Sequence, residues 1–211
     1  MFPRKLKSQV ICNIDEPIVE TKAGKLRGLI ADGTYIFRGI RYAEAERFHL
    51  PRPVRPWEGV KNAIAFGPVC PEESTPIARD QYYVPHYHHM QSEDCQYLNI
   101  WTRSVDREAK KPVMVWIHGG LFDTGSGIEL YAYDGEELAA FGDVVVVSLN
   151  HRLNVLGFLD LSAYGEEYRY SGNVGMADIV EALRWVRENI AAFGGDPDNV
   201  TLFGQSGGGQ K

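Results

Sequence analysis

Short apolar runs alternate with helical patterns in the second half of the chain. The runs at 97–102, 112–117 and 144–149 are apolar and rich in β-branched or aromatic residues, and helical stretches such as 134–141 separate them. Runs of this length and composition predict buried strands. Strands that alternate with helices favour a mainly parallel sheet with helices on both faces. The pattern therefore predicts an α/β fold.

The first forty residues show a different pattern. Short β-type stretches alternate with Ala-Gly and Asp-Gly turn signals, which predicts a small antiparallel meander. These stretches are 17–21, 25–30 and 34–38. From Tyr42 to about Asp94 the periodicity is weak and proline is frequent, so we expect a long irregular region that forms a functional surface loop.

The most regular helical pattern lies just before the last predicted strand. Apolar residues recur there at spacings of four and three, with Asn173 as the N-cap and Gly194-Gly195 as the stop. The residues are Ile179, Leu183, Val186, Ile190 and Phe193. We expect Glu181, Arg184, Arg187 and Glu188 to face away from the core, and Asp178 to be a surface or capping carboxylate. Residues 199–203 then form a strand.

That strand leads directly into Gly204-Gln205-Ser206-Gly207-Gly208, a GxSxG pentapeptide. Glycines around the serine allow the tight strand-to-helix turn that presents a nucleophilic hydroxyl. Ser206 is therefore the candidate catalytic nucleophile. The alternative is a glycine-rich turn that binds phosphate through its backbone amides. A P-loop needs Lys-Ser or Lys-Thr after the glycines, and Lys211 stands at the wrong spacing.

A second glycine-rich loop, His118-Gly119-Gly120-Leu121-Phe122, follows the strand that ends at Ile117. In sheet hydrolases a loop at this place donates backbone N–H groups to the developing oxyanion, together with the residue after the nucleophile. The candidate donors are Gly119, Gly120 and Gly207, with Leu121 as a further one. The alternative for this loop alone is an ordinary tight turn.

These motifs together resemble those of the type-B carboxylesterases. The matching segments are 93–101 (EDCQYLNIW), 116–120 (WIHGG), 150–159 (NHRLNVLGFL) and 185–209 (WVRENIAAFGGDPDNVTLFGQSGGG). The resemblance covers nearly all of the chain and implies an α/β-hydrolase fold. It also implies hydrolysis of carboxylic esters through an acyl-Ser206 intermediate, without a cofactor. Residues 1–211 would then be the N-terminal portion of a single domain.

Four positions depart from the family pattern. Gln205 stands where glutamate is frequent, which removes a negative charge beside the serine and weakens the case for a cationic substrate. Leu121 replaces a glycine or alanine and is expected to narrow the acyl pocket while keeping its amide. Gln96 stands where leucine is common, and His151 where tyrosine is common.

A serine hydrolase also needs a histidine base and an acid that orients it. In this fold the order along the chain is serine, acid, histidine. All six histidines of this chain precede Ser206. We therefore expect the acid and the histidine beyond Lys211, and we expect the 211-residue chain alone to have little esterase activity. The strand before Ser206 is expected to expose an unpaired edge.

Composition narrows the partners. The chain has 28 acidic and 22 basic residues, a net charge of -6 and no basic block, so nucleic acid is not an expected partner. It shows no apolar run of membrane-spanning length and no secretory leader, which favours a cytoplasmic protein without a membrane partner. The expected partner is a small-molecule ester, and the oligomeric state stays open.

Cysteines and a histidine cluster leave two questions open. The three cysteines are Cys12, Cys70 and Cys95, and an odd number favours free thiols in a reducing compartment. The resemblance pairs Cys70 with Cys95, which match two half-cystines of secreted relatives. His86, His88 and His89 favour a loop near the active-site mouth over a metal site, because no carboxylate or cysteine stands at ligand spacing.

Two other functions remain as alternatives. A non-catalytic, neuroligin-like relative would use the same scaffold to bind proteins, but such relatives typically lack the serine that this chain retains. Another α/β-hydrolase chemistry, such as lipase or amidase action, would use the same nucleophile. The motifs favour esters over both alternatives.

Overall fold

The computed structural model describes residues 9–72 and 89–211. The first eight strands are β1 Val10–Ile11, β2 Ile18–Glu20, β3 Lys25–Arg27, β4 Leu29–Ala31, β5 Thr34–Arg41, β6 Ala43–Glu44, β7 Arg52–Pro53 and β8 Val60–Asn62. The others are β9 Tyr97–Thr102, β10 Lys111–Ile117, β11 Val145–Leu149 and β12 Gly195–Gly204. The α-helices are α1 Glu136–Gly142, α2 Asn154–Phe158 and α3 Val174–Asn189.

A seven-stranded sheet in the order β1-β4-β5-β9-β11-β10-β12 forms the centre of the molecule. Strand β10 runs parallel to both β11 and β12, and these three strands carry the loops of the candidate site. Strands β9, β5, β4 and β1 continue the sheet with antiparallel pairing. The predicted strands at 97–102, 112–117 and 144–149 are thus confirmed as neighbours in an α/β sheet.

Side chains of the central strands alternate between two apolar layers. Val113 and Val115 of β10 pack with Val145 and Val147 of β11 on the face that α3 covers. On the other face Val146, Trp101 and Ile36 pack with Ala139 of α1. Successive strand residues point to opposite faces, so a continuous apolar run is what a sheet buried on both sides requires.

The N-terminal strands divide between two sheets. β4 and β5 form an antiparallel hairpin at the predicted place and belong to the central sheet. β2 and β3 also pair antiparallel, but they form a separate three-stranded sheet with β8, which runs parallel to β3. The predicted run 25–30 is therefore two strands, broken between Arg27 and Leu29.

Helix α3 covers one face of the sheet, and the predicted helix is divided into α3 and a 3₁₀ turn. Asn173 occupies the N-cap position, although its side chain makes no capping hydrogen bond. A 3₁₀ turn at 190–193 follows, and Gly194 adopts a φ of 75°. The expectation that Glu181 faces solvent was wrong, because its side chain is buried and pairs with the more exposed Arg184 at 3.1 Å.

Strand β12, which leads to the serine, lies at the end of the sheet. Within residues 9–72 and 89–211 its strand neighbour is β10 alone. Leu202, in the middle of β12, is half exposed. The expected unpaired edge is thus present among the described residues.

Candidate active site

The two glycine-rich loops leave the sheet side by side. In the parallel pair of β10 and β12, Ile117 lies opposite Gly204. The glycine-rich loop 118–122, which we call the oxyanion loop, begins one residue after Ile117. The turn that carries Ser206 begins one residue after Gly204. Both loops therefore start at the carboxyl edge of the parallel strands, where ligands bind in open α/β sheets.

Ser206 has the backbone of a strained turn. Its φ is 54°, in the left-handed region that residues with a side chain rarely adopt, and a 3₁₀ turn at 206–209 begins with it. The residue is exposed, so its hydroxyl is open to a reactant. This combination of strain and exposure is the geometry that a nucleophile elbow requires.

Close backbone approach brings the two loops together. A Cβ on Gly207 would lie 2.5 Å from the nitrogen of Leu121, so a larger residue would push the oxyanion loop away. A Cβ on Gly119 would lie 2.8 Å from Gln205 Oε1 and 3.5 Å from Ser206 Cβ. The structure thus brings Gly119 and Gly207 together around Ser206, with Leu121 beside them.

Three backbone amides beside Ser206 have no acceptor in the described part of the chain. They are the N–H groups of Gly120, Leu121 and Gly207. Gly120 is exposed, and its carbonyl accepts hydrogen bonds from Asp123 and Thr124, which form the following turn. Unpaired N–H groups beside an exposed serine are the arrangement that stabilises an oxyanion.

Two buried imidazoles, which we call the imidazole cluster, lie behind the oxyanion loop. The rings of His118 and His151 stack with centroids 5.0 Å apart and planes inclined by 21°. Burial, reinforced by the positive charge of Lys211, lowers the pKa of His118 to about 3. Burial also lowers the pKa of His151 well below its usual value. Among the described residues, no histidine side chain hydrogen bonds to Ser206.

A second buried group, which we call the charge cluster, corrects the expectation for Asp178. This carboxylate is fully buried and binds Arg152 through two side-chain hydrogen bonds of 2.7 and 2.8 Å. The Arg152 amide and Gln96 Nε2 also donate to it, at 3.0 and 3.3 Å. Asp178 is therefore neither a surface nor a capping residue. The amide of Gln96, a departure from the family pattern, thus contributes to the pairing of this carboxylate.

The cysteine pair lies next to the charge cluster. Cys70 and Cys95 are buried, and both are free thiols. A hydrogen bond between them lowers the pKa of Cys70 and raises that of Cys95, which burial raises further. The Leu153 amide donates to Cys70 Sγ at 3.2 Å. Cys12, which is exposed, is also a free thiol in this structure.

Of the predicted histidine cluster, only His89 lies within the described residues, while His86 and His88 lie outside them. His89 Nε2 is 2.9 Å from the carbonyl oxygen of Ile128, and its ring contacts Phe66 with centroids 6.1 Å apart. In the ranges 9–72 and 89–211, no three histidine, cysteine or acidic side chains form a group that could hold a metal ion.

Comparison with known proteins decides the family. The sequence profile of the carboxylesterase family matches residues 15–211. The chain belongs to this family. The para-nitrobenzyl esterase of Bacillus subtilis (strain 168) is 48% identical over 197 residues, which are 91% of this chain and 38% of that enzyme. Phenmedipham hydrolase of Pseudarthrobacter oxydans is 45% identical and matches 92% of this chain and 38% of that protein.

Solved structures show the same α/β-hydrolase fold. An esterase from anaerobic Clostridium hathewayi that can hydrolyse aliphatic aromatic polyesters superposes with a TM-score of 0.92 at 61% identity, over 96% of this chain and 40% of that one. A Geobacillus stearothermophilus carboxylesterase gives 0.79 at 48% identity, over 90% and 37%. This member of the carboxylesterase family thus spans less than half the length of these relatives.

Sequence patterns missed the contacts behind the site. The stacking of His118 on His151 and the pairing of Arg152 with Asp178 join segments that are distant along the chain. The sequence shows His151 as a departure from the family pattern, but it does not show the partner of this residue.

No helix in the described ranges combines the length and apolar character needed to cross a bilayer.

Proposed function

We propose that this chain carries the nucleophile and the oxyanion site of a serine carboxylesterase. The observation that carries the proposal is Ser206, exposed at a φ of 54° beside a loop whose amides have no acceptor among the described residues. Family membership supports the reaction class. Retention of the serine disfavours a binding-only, neuroligin-like role.

In the proposed reaction, Ser206 Oγ attacks the ester carbonyl carbon while a general base removes the hydroxyl proton. The carbonyl oxygen becomes an oxyanion, which accepts hydrogen bonds from the amides of Gly119, Gly120 and Gly207, with Leu121 as a further donor. Collapse of this intermediate breaks the ester C–O bond, the protonated base gives its proton to the leaving oxygen, and the alcohol departs from an acyl-Ser206 ester. Water then attacks the acyl carbon while the base removes its proton, and that proton returns to Ser206 Oγ as the carboxylic acid leaves.

The base and its acid partner are proposed to lie beyond Lys211, and residues 1–211 to be the N-terminal portion of one domain. The two described histidines near the site support this assignment, because His118 and His151 are buried and bonded to backbone carbonyls. Removing a catalytic base typically costs on the order of 10⁶ in turnover. The 211-residue chain alone should therefore hydrolyse esters very slowly.

A fluorophosphonate probe tests this proposal, since it forms a covalent bond with an activated serine. We expect labelling of Ser206 in the protein expressed from its full reading frame, and neither labelling nor ester hydrolysis in its Ser206→Ala variant. We expect no labelling of the 211-residue chain. Hydrolysis that survives Ser206→Ala would refute the assignment of the nucleophile. Labelling of the short chain would show that a base lies within it.

We propose neutral carboxylic esters with an aromatic group as the substrate class. The activities of the para-nitrobenzyl esterase and of the polyester-hydrolysing relative support this choice. Gln205 beside the serine carries no charge, so this position offers no attraction to a cationic alcohol group. A cytoplasmic location, favoured by the odd number of cysteines, stays a prediction.

A further inference from the structure

The His118 side chain is bonded to the oxyanion loop itself. Its Nδ1 lies 2.8 Å from the carbonyl oxygen of Gly119, the next residue. A carbonyl oxygen only accepts hydrogen bonds, so the ring must carry its hydrogen on Nδ1. The ring is fully buried, which protects this bond from competition by solvent.

The direction of this bond bears on the neighbouring amide. In a trans peptide the C=O of one residue and the N–H of the next lie in one plane and point in opposite directions. When the Gly119 carbonyl is held on the His118 side, the Gly120 N–H points away from His118. That N–H has no acceptor among the described residues and lies in the loop that borders Ser206.

The backbone a few residues after the oxyanion loop packs against the same hydrogen bond. Gly125 has a φ of 97°, and a Cβ placed there would lie 2.9 Å from His118 Nδ1 and 3.0 Å from the Gly119 oxygen. The backbone at Gly125 therefore covers the contact between the ring and the carbonyl. The peptide that joins Gly119 and Gly120 has little room to flip.

His151 supports the His118 ring from behind. The two rings stack at 5.0 Å, and His151 Nδ1 lies 2.9 Å from the carbonyl oxygen of Arg152. Arg152 is in turn fixed by its two side-chain hydrogen bonds with the buried Asp178. A continuous set of contacts thus leads from the charge cluster to the oxyanion loop.

We propose that His118, supported by His151, is a positioning residue that aims the Gly120 N–H at the oxyanion. Its Nδ1–H holds the Gly119 carbonyl, and the rigid peptide transmits that constraint to the amide of Gly120. This inference rests on the proposed esterase function. His118 touches neither substrate nor the reacting atoms in this role, so its removal affects the transition state more than substrate binding.

The surroundings keep the pair neutral, as the role requires. The positively charged groups that act on the two rings are Lys211 and Arg152. Two carboxylates approach Gly125, which packs against the His118 ring: Glu72 accepts a hydrogen bond of 2.7 Å from its amide, and Glu129 lies beside it. Burial disfavours protonation of both rings, and the charge of Lys211, whose Nζ lies 3.4 Å from the His118 carbonyl oxygen, acts in the same direction. The Nδ1–H form is therefore maintained through neutral pH.

Kinetics of two variants test the proposal in the protein expressed from its full reading frame. We expect His118→Ala to lower kcat on the order of 10- to 100-fold with KM changed less than about threefold. The reason is that the Gly120 N–H, one of the proposed oxyanion donors, is no longer held in position. His118→Asn places an N–H donor near the position of Nδ1 and should recover most of that loss. An unchanged kcat, a loss confined to KM, or an Asn variant as slow as the Ala variant would overturn the proposal.

His49→Ala is the matched control. His49 Nδ1 makes the same kind of contact, 2.7 Å from the carbonyl oxygen of Arg47, but its ring packs against Tyr168 and not against the oxyanion loop. We expect its kcat to equal that of the wild type. The parent protein must lose its activity in Ser206→Ala. If it does not, the proposed function fails, and this failure is distinct from an unchanged kcat in His118→Ala.

A spectroscopic measurement covers the case in which His118→Ala does not fold. In wild-type protein with nitrogen-15 labelled histidine, the ring nitrogen shifts report which nitrogen carries the hydrogen. We expect His118 and His151 to be neutral with the hydrogen on Nδ1 at neutral pH. A hydrogen on Nε2 of His118 would exclude donation to Gly119 and overturn the proposal.

Discussion

The charge cluster and the imidazole cluster are joined at the consecutive residues His151 and Arg152, but their polar groups make different numbers of hydrogen bonds. Asp178 accepts four hydrogen bonds, three of them from Arg152, so its buried charge is fully compensated. Each imidazole uses one nitrogen only, and both Nε2 atoms lack a partner among the described residues. A buried charge requires dense pairing, whereas one unpaired nitrogen on a buried neutral ring costs much less free energy.

This difference predicts that the two clusters affect different properties, the free energy of unfolding and the proposed turnover. The charge cluster joins three parts of the chain: Gln96 next to β9, the loop at Arg152, and α3. The imidazole cluster adds little pairing of its own but holds one peptide of the oxyanion loop. Changes in the charge cluster should therefore lower the free energy of unfolding, and changes in the imidazole cluster should lower turnover.

The largest stability effect is expected for Asp178→Ala. It leaves the guanidinium of Arg152 buried without its partner, which typically costs about 3–5 kcal/mol in the free energy of unfolding. Urea denaturation of the protein from the full reading frame measures the loss. Asp15→Ala, which removes an exposed carboxylate outside the charge cluster, is the control and should change stability by less than about 1 kcal/mol. Equal stability of the Asp178 and Asp15 variants would contradict the role of the charge cluster.

The second expected effect concerns the way in which the free energy of unfolding depends on pH. His118 has a pKa of about 3 in the folded protein against an ordinary value of 6.5, so the unfolded chain binds the proton first. The stabilising effect of keeping the ring neutral is complete above pH 6.5 and is lost as the pH falls toward 3. The slope is about 1.4 kcal/mol per pH unit for each such histidine.

The variant His118→Asn isolates this contribution. Asparagine does not titrate, so its free energy of unfolding should fall less steeply between pH 6.5 and pH 4 than that of the wild type. Equilibrium denaturation at a series of pH values gives both slopes. His49→Asn is the control and should keep the wild-type slope. Identical slopes for wild type and His118→Asn would show that the imidazole is not held neutral in the folded state.

The sequence predicted the parts of this site that depend on local spacing. Ser206, Gly119, Gly120 and Gly207 were identified because each lies in a short motif that directly follows a strand. The structure brings Ser206, Gly119 and Gly207 together because parallel strands end at one edge of the sheet. The catalytic roles of these residues stay predictions.

The two clusters could not be predicted because their partners come from distant segments. Asp178 precedes the apolar residue Ile179 on the amphipathic helix α3. The spacing of apolar residues therefore predicts a carboxylate at the border between the buried and the exposed face of that helix. It is buried because Arg152 reaches it from the loop after β11. His118 was recognised as part of the oxyanion motif, but its bond to Gly119 and its stacking on His151 depend on packing that spacing does not show.

The smallest expected effect concerns Leu121, in the loop that the imidazole cluster holds. Its side chain is half exposed and its φ of 53° is one that glycine adopts without strain. In Leu121→Gly the amide remains but the side chain no longer occupies the space beside the oxyanion site. We expect kcat/KM for esters with a branched acyl group to rise about 3- to 10-fold relative to acetyl esters of the same alcohol.

Stability should barely change in this variant, because relief of the strained backbone offsets the greater freedom of glycine in the unfolded chain to within about 1 kcal/mol. Parallel kinetics on acetyl and branched acyl esters of one phenol measure the ratio. Leu50→Gly, at an exposed position outside both glycine-rich loops, is a control with the same substitution. An unchanged ratio in Leu121→Gly would show that the acyl group lies elsewhere. A uniform fall in kcat would show instead that the leucine side chain helps to hold the oxyanion loop, which is the role proposed for His118.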